Sequence, residues 1–174
     1  MEIRRLETGD EVALTRFLSR IPEGDRTFFK EDVLDADVVA TWVRRGEARS
    51  LAMEDGEVLG TVTVLPLQDW SSHVCEVRVI VDPAHRRRGI GRALARQAVV
   101  EALHLGLEKM VVEVIADQDA TIAMFRSLGF EPEALLKDHV RDDEGQLHDL
   151  MLLAHSVEAS LASFDAVGLG DALP

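Results

Sequence analysis

The apolar residues of this chain recur with two different periods, which predict helices in some segments and strands in others. Apolar positions three or four residues apart predict helices at residues 10–18, 35–43, 91–105 and 119–128, whereas residues 21–30 predict a loop. Shorter apolar or alternating stretches predict strands. The strands are predicted at residues 2–6, 48–53, 58–65, 74–81, 110–116, 134–140 and 147–154.

Glycine, proline and aspartate mark the turns between these segments. Asp55-Gly56 is a strong hairpin signal because both residues tolerate positive φ, and Gly145 closes a second acidic turn. Asp82-Pro83 ends a strand, while Gly106 and Gly129 are placed to end helices. The order β-α-α-β-β-β-α-β-α-β-β predicts an α/β (α+β) fold, with a mixed, mostly antiparallel central sheet and helices on both faces.

Composition adds expectations about organisation and partners. The 174 residues fit one domain at 1–156, followed by a weakly helical or frayed tail at 157–174. The net charge of −13 repels nucleic acid and favours cationic partners. A single cysteine, Cys75, rules out internal disulfides, and the chain shows no membrane-length apolar run and no signal core. We therefore expect a cytoplasmic protein without membrane or nucleic-acid partners, and a homodimer is among the assemblies that the sequence allows.

One basic cluster interrupts this acidic chain. Residues 86–92 read Arg-Arg-Arg-Gly-Ile-Gly-Arg and stand between a predicted strand and the start of a helix. Unpaired amides and the helix dipole favour an anion at such a position. Gly89 and Gly91 allow phosphate oxygens to approach the backbone, and the arginines add charge-assisted hydrogen bonds. The segment predicts a pyrophosphate site, with a basic helix start that binds no ligand as the open alternative.

Two motifs make the chain resemble the GCN5-related N-acetyltransferase (GNAT) superfamily. The pyrophosphate loop of that family reads Arg/Gln-x-x-Gly-x-Gly/Ala, and Arg86, Gly89 and Gly91 match its three fixed positions. Residues 122–130 resemble the helix ending in Leu-Gly-Phe that flanks the thiol end of the coenzyme. The resemblance implies the acyl-CoA N-acyltransferase fold and an enzyme that transfers an acetyl group from acetyl-CoA (coenzyme A) to an amine by direct attack on the thioester.

The resemblance also implies which residues hold the coenzyme. In this family two neighbouring strands splay apart, and the pantetheine pairs with exposed backbone of the first. The coenzyme-binding residues implied here are Val79, Ile80, Val81, Arg86, Arg87, Arg88, Gly89, Ile90, Gly91, Arg92, Gln118 and Phe125. Gln118 stands where the family often has asparagine, and Phe125 where it often has the tyrosine that protonates the thiolate. The catalytic acid is therefore unassigned, with Ser127, water or no acid as alternatives.

Glutamates on the two strands are the candidates for the catalytic base that deprotonates the amine. Glu76 lies on the strand before the loop, where many relatives place a catalytic glutamate, and an ion pair with Arg78 is its alternative structural role. Glu113 interrupts residues 110–116, whose apolar run predicts a strand buried on both faces. Burial would make the Glu113 carboxylate a stronger base. Cys75 has no adjacent histidine and is interpreted as a core residue.

The acceptor is expected to be a cationic small molecule or a protein amine. By resemblance, residues 21–42 form one wall of its site, where Phe28, Phe29, Glu31 and Asp32 combine apolar and acidic groups. A solvated amphipathic loop is the open alternative for these residues. The histidines lack metal-ligand spacing, so no metal is expected. Two alternatives stay open. A non-catalytic acyl-CoA sensor or partner-binding module is suggested by the missing tyrosine, and a nucleotide-binding protein would use the same loop for ATP.

Overall fold

The computed structural model describes residues 1–26, 29, 31–45 and 48–158. The predicted tail beyond residue 158 and Phe28 therefore lie outside the described residues. The helices are α1 (Glu11–Arg20), α2 (Glu23–Arg26), α3 (Ala36–Arg45), α4 (Ile90–His104) and α5 (Asp119–Arg126). The strands are β1 (Glu2–Arg5), β2 (Ala48–Glu54), β3 (Glu57–Pro66), β4 (Val74–Val81), β5 (Lys109–Ile115), β6 (Glu131–Arg141) and β7 (Leu147–Ser156).

In the described part of the chain, these strands form one sheet in the order β1-β2-β3-β4-β5-β7-β6. β4 and β5 run parallel, and the other neighbours run antiparallel. One hydrophobic cluster joins the sheet to α4 and α5, and a second joins it to α1 and α3. The predicted mixed, mostly antiparallel sheet with helices on both faces is confirmed.

Local sequence signals predicted most helix and strand boundaries to within one or two residues of the observed ones. The hairpin between β2 and β3 turns at Asp55 and Gly56, whose φ angles are 50° and 80°. Two details differ. Residues 23–26 of the predicted loop form the helical turn α2, and β6 extends beyond its predicted bounds because register shifts near Pro132 and between Leu136 and Val140 break its alternation.

Gly60 on β3 allows α4 to approach the sheet closely. A Cβ atom at this position would lie 2.7 Å from the carbonyl oxygen of Ile80 and 2.9 Å from Cδ1 of Leu94. Both distances are far shorter than a carbon atom tolerates. The glycine therefore fixes the start of α4 over β3 and β4, and with it the point where the loop before α4 leaves the sheet.

The two faces of β5 differ, and the prediction of burial on both faces fails at Glu113. Met110, Val112 and Val114 are buried in the cluster beneath α4. On the opposite face Val111 is half-buried, Glu113 is exposed and Ile115 is buried. Glu113 is therefore not buried as the apolar run predicted. The exposure of Glu113 could not be predicted, because an apolar run does not show where a neighbouring strand leaves one face open.

Candidate functional site

A wedge-shaped gap opens between β4 and β5. Their parallel register begins with Val74 opposite Lys109 and ends with Glu76 opposite Val111. In the described part of the chain, β4 then continues to Val81 paired with β3 alone, while β5 pairs with β7. One edge of β4 is therefore left without a strand partner over its last five residues.

Backbone direction decides which residues of β4 face this gap. The amide of Asp82 donates to a carbonyl on β3 over 2.9 Å, and the carbonyl of Val74 accepts from the residue after β3 over 2.9 Å. Successive residues of a strand direct their backbone groups to opposite sides. Val79 and Val81 therefore direct theirs into the gap, as their predicted role requires. Ile80 directs its own toward β3, and its side chain packs in the cluster of α1 and α3.

The loop before α4 ends in a turn that presents unpaired amides. Arg87 and Gly89 have positive φ angles of 62° and 81°. Such a conformation is strained for an arginine, and alternating left-handed residues direct successive N–H groups into one concavity. The Ala93 amide donates to the Gly89 carbonyl over 3.0 Å, which leaves the amides of residues 89–92 without acceptors inside the helix. This turn, residues 87–92, is called the anion cradle below.

Space in front of the anion cradle is open. Apart from Gly89 itself and its two chain neighbours, no described residue has an atom within 4 Å of a Cβ built on Gly89. Gly91 is different, because its Cβ would lie 3.2 Å from Sδ of Met124 on α5. Ile90 is buried and anchors the first turn of α4 in the core. The two glycines thus have separate reasons to lack a side chain: Gly89 leaves room for a ligand, and Gly91 allows α4 to meet α5.

The arginine side chains around the cradle bind neighbouring elements. Arg86 donates to Asp25 on α2. Arg88 donates to Glu54 at the end of β2 over 2.8 Å. Arg92 donates to the hydroxyl of Ser127 over 2.8 Å. These contacts are exposed and contribute little stability, so an anion in the cradle can compete for the same guanidinium groups.

Asp82 anchors the loop to the rest of the protein. Its buried carboxylate accepts from the Ala84 amide over 2.9 Å and from Nε of Arg20 over 3.0 Å. Burial opposes the charge, but the Ala84 hydrogen bond and the Arg20 guanidinium outweigh it and hold the pKa of Asp82 below its usual range. Arg20 also donates to the carbonyl of Val58 over 2.7 Å. The end of α1, β3 and the loop are thereby joined.

The variant Asp82→Asn is expected to unfold more easily at neutral pH, by about 1–3 kcal/mol, because it removes a buried charged hydrogen bond. A carboxylate whose folded-state pKa is lowered stabilises the protein above the unfolded pKa of about 4. That contribution is lost as pH falls through the lower, folded-state pKa. Urea unfolding from pH 7 to pH 3 should therefore show the two proteins converging in acid. Asp25→Asn, on an exposed pair, is the control and should change little. A difference that stays constant across this range would contradict the assignment.

Charged side chains meet where β4 and β5 part, on the sheet face shared with α1 and α3. Arg78 donates through Nε and Nη2 to the two carboxylate oxygens of Glu76, over 2.7 Å and 3.2 Å. The ion pair considered from the sequence is therefore present. Burial opposes the charge of Arg78, yet the Glu76 hydrogen bond and the charges of Glu31 and Glu113 raise its pKa above the usual range. Continued in register, β5 would place Glu113 opposite Arg78. These four residues are called the charged cluster.

The wall beside the charged cluster contains a buried arginine that sequence reasoning missed. Nε1 of Trp42 donates to Glu31 over 3.0 Å. The guanidinium carbon of Arg49 lies 3.8 Å from the centre of the Trp42 ring, and Arg49 is buried. Of the predicted wall residues, Phe29 packs against the α1–α3 cluster and Asp32 is exposed. An arginine within the apolar segment 48–53 was the signal that could have identified this wall.

Cys75 lies on the opposite face of β4. It is buried with no exposed surface in the cluster beneath α4. Burial raises the pKa of its thiol to about 11, so the group stays protonated at neutral pH. Its interpretation as a core residue is confirmed.

α5 places Gln118 and Phe125 in different surroundings. Gln118 is exposed where β5 passes into α5. The Phe125 ring is buried and meets Phe130 edge to face, with centroids 5.2 Å apart. The Ser127 hydroxyl, the alternative acid, donates to the carbonyl of Met124 over 2.6 Å. Contacts of these residues with the coenzyme stay predictions.

Within the described residues, no cluster of three or more His, Cys, Asp or Glu side chains has the arrangement of a metal site. None of the helices in that part of the chain combines the length and the apolar character needed to span a membrane.

Known proteins share this architecture. The acetyltransferase (GNAT) family model matches residues 13–130. The L-amino acid N-acyltransferase MnaT of Escherichia coli (strain K12) is 29% identical over 142 residues, covering 75% of this chain and 79% of that protein. The ribosomal-protein-alanine N-acetyltransferase from Brucella melitensis superposes with a TM-score of 0.80 at 26% identity, covering 90% of this chain and 99% of that one. The structure of yncA from Salmonella typhimurium with its cofactor acetyl-CoA shares the fold, with a TM-score of 0.80 at 24% identity over 90% of this chain and 94% of that one.

Proposed function

This chain belongs to the acetyltransferase (GNAT) family and transfers an acetyl group from acetyl-CoA to an amine, and we propose that its acceptor is a cationic amine that enters from the face carrying the charged cluster. The amine belongs either to a small molecule or to a protein. Glu76 is proposed as the catalytic base. The observation that carries the proposal is the wedge-shaped gap, with the anion cradle at one end and the charged cluster at its apex.

The residues around the gap fit the parts of acetyl-CoA. The amides of residues 89–92 suit the pyrophosphate, since they are unpaired within the helix and face open space at Gly89. The side chains of Arg86 and Arg88 can also bind the pyrophosphate once they release Asp25 and Glu54. The backbone groups of Val79 and Val81 suit the amides of the pantetheine, because they are directed into the gap. The thioester then supplies the acetyl group at the closed end of the gap.

The side chains at that closed end suit proton transfer. Glu76 occupies the last paired position of β4, and its side chain is 16% exposed. An ammonium group must lose a proton before its nitrogen can attack, and Glu76 is placed to accept this proton directly or through one water molecule. A backbone N–H of β4 that is directed into the gap is suited to stabilise the developing oxyanion. The leaving thiolate takes its proton from solvent in this scheme, since no side-chain acid is assigned.

Charge supports a cationic acceptor. The net charge of the chain is −13, which attracts cations over long distances. Glu31, Glu76 and Glu113 all act on the guanidinium group of Arg78, so the charged cluster also supplies carboxylates that suit an ammonium group. The relatives named above are consistent with an amine acceptor, as one is named for L-amino acids and the other for an alanine of a ribosomal protein.

A turnover assay tests this proposal. The purified protein is incubated with acetyl-CoA and a panel of amines that contains amino acids, a polyamine, an amino sugar and a peptide with a free N-terminus. We expect release of the coenzyme thiol that depends on the amine, with an acetylated product found by mass spectrometry. Acetyl-CoA binding without turnover of any amine would contradict the enzyme and favour the non-catalytic sensor.

Location and assembly are part of the same proposal. The single cysteine is buried and unpaired, which suits the reducing cytoplasm, and we propose that the protein acts there. A homodimer is the proposed assembly, and light scattering of the purified protein tests it.

A further inference from the structure

We propose that Arg78 binds a carboxylate of the acceptor, so that the preferred substrate is a free α-amino acid with an apolar side chain. This inference rests on the proposed acceptor site and narrows it. A simple amine, a polyamine and a peptide N-terminus all lack a carboxylate beside the reacting nitrogen. They would therefore be poorer substrates than a free amino acid.

The hydrogen bonds of Arg78 leave one edge of its guanidinium group available. Nε and Nη2 donate to Glu76, and no described residue accepts from Nη1. The side chain is 31% exposed, so the guanidinium group is not sealed inside the protein. The Nη1–Nη2 edge of an arginine matches the two oxygens of a carboxylate. Arg78 can thus hold Glu76 with one edge and a substrate carboxylate with the other.

The position of Arg78 places that carboxylate beside the reaction centre. Arg78 is two residues beyond Glu76, which makes the last contact between β4 and β5. In an α-amino acid the carboxylate and the ammonium group are bonded to the same carbon atom. A carboxylate on Arg78 therefore brings the ammonium group next to Glu76 and Glu113, where the proposed base accepts its proton.

The charges of the cluster favour a zwitterion over a plain cation. Arg78 is half-buried in the wall where the acceptor nitrogen must arrive. A carboxylate satisfies this positive group, whereas the second ammonium group of a diamine or a polyamine does not. Glu31, Glu76 and Glu113 in turn repel an acceptor that carries only negative charge. In a zwitterion the carboxylate pairs with Arg78 and the ammonium group pairs with the glutamates. Binding this carboxylate offsets the cost of partly burying the arginine.

The surface beyond Glu113 suits an apolar side chain. Leu152 on β7 lies opposite Glu113, and Ala134 on β6 lies opposite Leu152. Residues opposite each other in a ladder share one face of the sheet. Both side chains are half-buried, so an apolar group of the substrate can cover them. Leucine is therefore a suitable probe substrate.

Three related substrates separate carboxylate binding from general catalysis. L-leucine carries the carboxylate, L-leucinamide replaces it with a neutral amide, and 3-methylbutylamine lacks it. The value of kcat/KM is measured for each with the wild type, Arg78→Gln and Arg78→Lys. The exposed Arg16→Gln serves as the matched control, because Arg16 pairs with Glu57 away from the gap.

We expect the wild type and Arg16→Gln to prefer leucine over 3-methylbutylamine by about 10- to 100-fold, the range of one charged hydrogen bond. Arg78→Gln should remove most of this preference, and Arg78→Lys should retain part of it. Comparing the ratio between variants cancels the different basicities of the amines. Binding of acetyl-CoA, measured by calorimetry, should stay unchanged.

Two results would overturn the inference while leaving the proposed function intact. In the first, the wild type acetylates leucinamide or 3-methylbutylamine as efficiently as leucine. In the second, Arg78→Gln lowers kcat/KM for all three substrates by the same factor, as expected if Arg78 does nothing but hold Glu76. Absence of turnover with every amine of the larger panel would instead refute the proposed function, and this inference with it.

Discussion

Replacing Gly89 with aspartate is expected to weaken acetyl-CoA binding by about a hundredfold or more, equivalent to roughly 2.7 kcal/mol, while the protein stays folded. The new side chain would stand in the open space before the anion cradle, where the described residues leave room for it. Aspartate tolerates left-handed φ better than most residues, and its carboxylate is suited to accept from the free amides at the start of α4. The variant would thus occupy its own phosphate site and repel the pyrophosphate as well.

A matched glycine separates this effect from backbone strain. Gly145 has a φ angle of 85°, and apart from its own atoms and its two chain neighbours no described residue lies within 4 Å of a Cβ at that position. Gly145→Asp therefore imposes the same strain on the turn between β6 and β7, far along the chain from the cradle. Calorimetric titration should show wild-type affinity for Gly145→Asp and an intermediate loss for Gly89→Ala, which adds a methyl group without charge. Wild-type affinity in Gly89→Asp would refute the phosphate site.

Replacing Glu76 with glutamine is expected to lower kcat by about 100-fold or more, the usual contribution of a general base. Affinity for acetyl-CoA should change little, because the side chain of Glu76 lies on the face of α1 and α3, whereas the coenzyme is proposed to pair with the backbone of β4. Raising the pH should restore part of the rate, since a larger fraction of the amine then arrives unprotonated. Steady-state kinetics with a saturating amine measure the loss.

Glu113→Gln is the matched comparison on the other strand. Glu113 is exposed and acts on Arg78 through its charge, so its loss should reduce kcat by less than about tenfold. A larger loss of kcat in Glu113→Gln than in Glu76→Gln would assign the role of catalytic base to Glu113 on β5. A fall in coenzyme affinity with Glu76→Gln would assign Glu76 a role in binding instead.

The elements and the turn before α4 could be predicted because their signals are local. β4 was predicted at its observed bounds, since Asp82-Pro83 ends an alternating apolar run. The turn at Asp55-Gly56 follows from two residues that tolerate positive φ. The same reasoning reached Gly89, because a glycine at a helix start suits both a left-handed turn and a close ligand.

Other features of the site can be identified only from the way the strands pair. An alternating pattern assigns side chains to two faces but does not show which neighbour receives the backbone groups of each residue. Val79 and Ile80 were therefore predicted alike, although the direction of their hydrogen bonds separates them. Burial of Glu113 was predicted wrongly for a related reason, as a buried run and a run beside a gap look the same in sequence.

The sequence by itself determined the order of the elements, the anion cradle and the family, because periodicity, turn residues and motif spacing act over short stretches of chain. The tertiary structure decided where β4 and β5 part, which backbone groups face the gap, and that Glu31, Arg78 and Glu113 share one site. Glu31 precedes α3, whereas Arg78 lies on β4 and Glu113 on β5, so the three residues are far apart in the chain. Their meeting depends on strand register and helix packing, which are set by long-range contacts that no local pattern encodes.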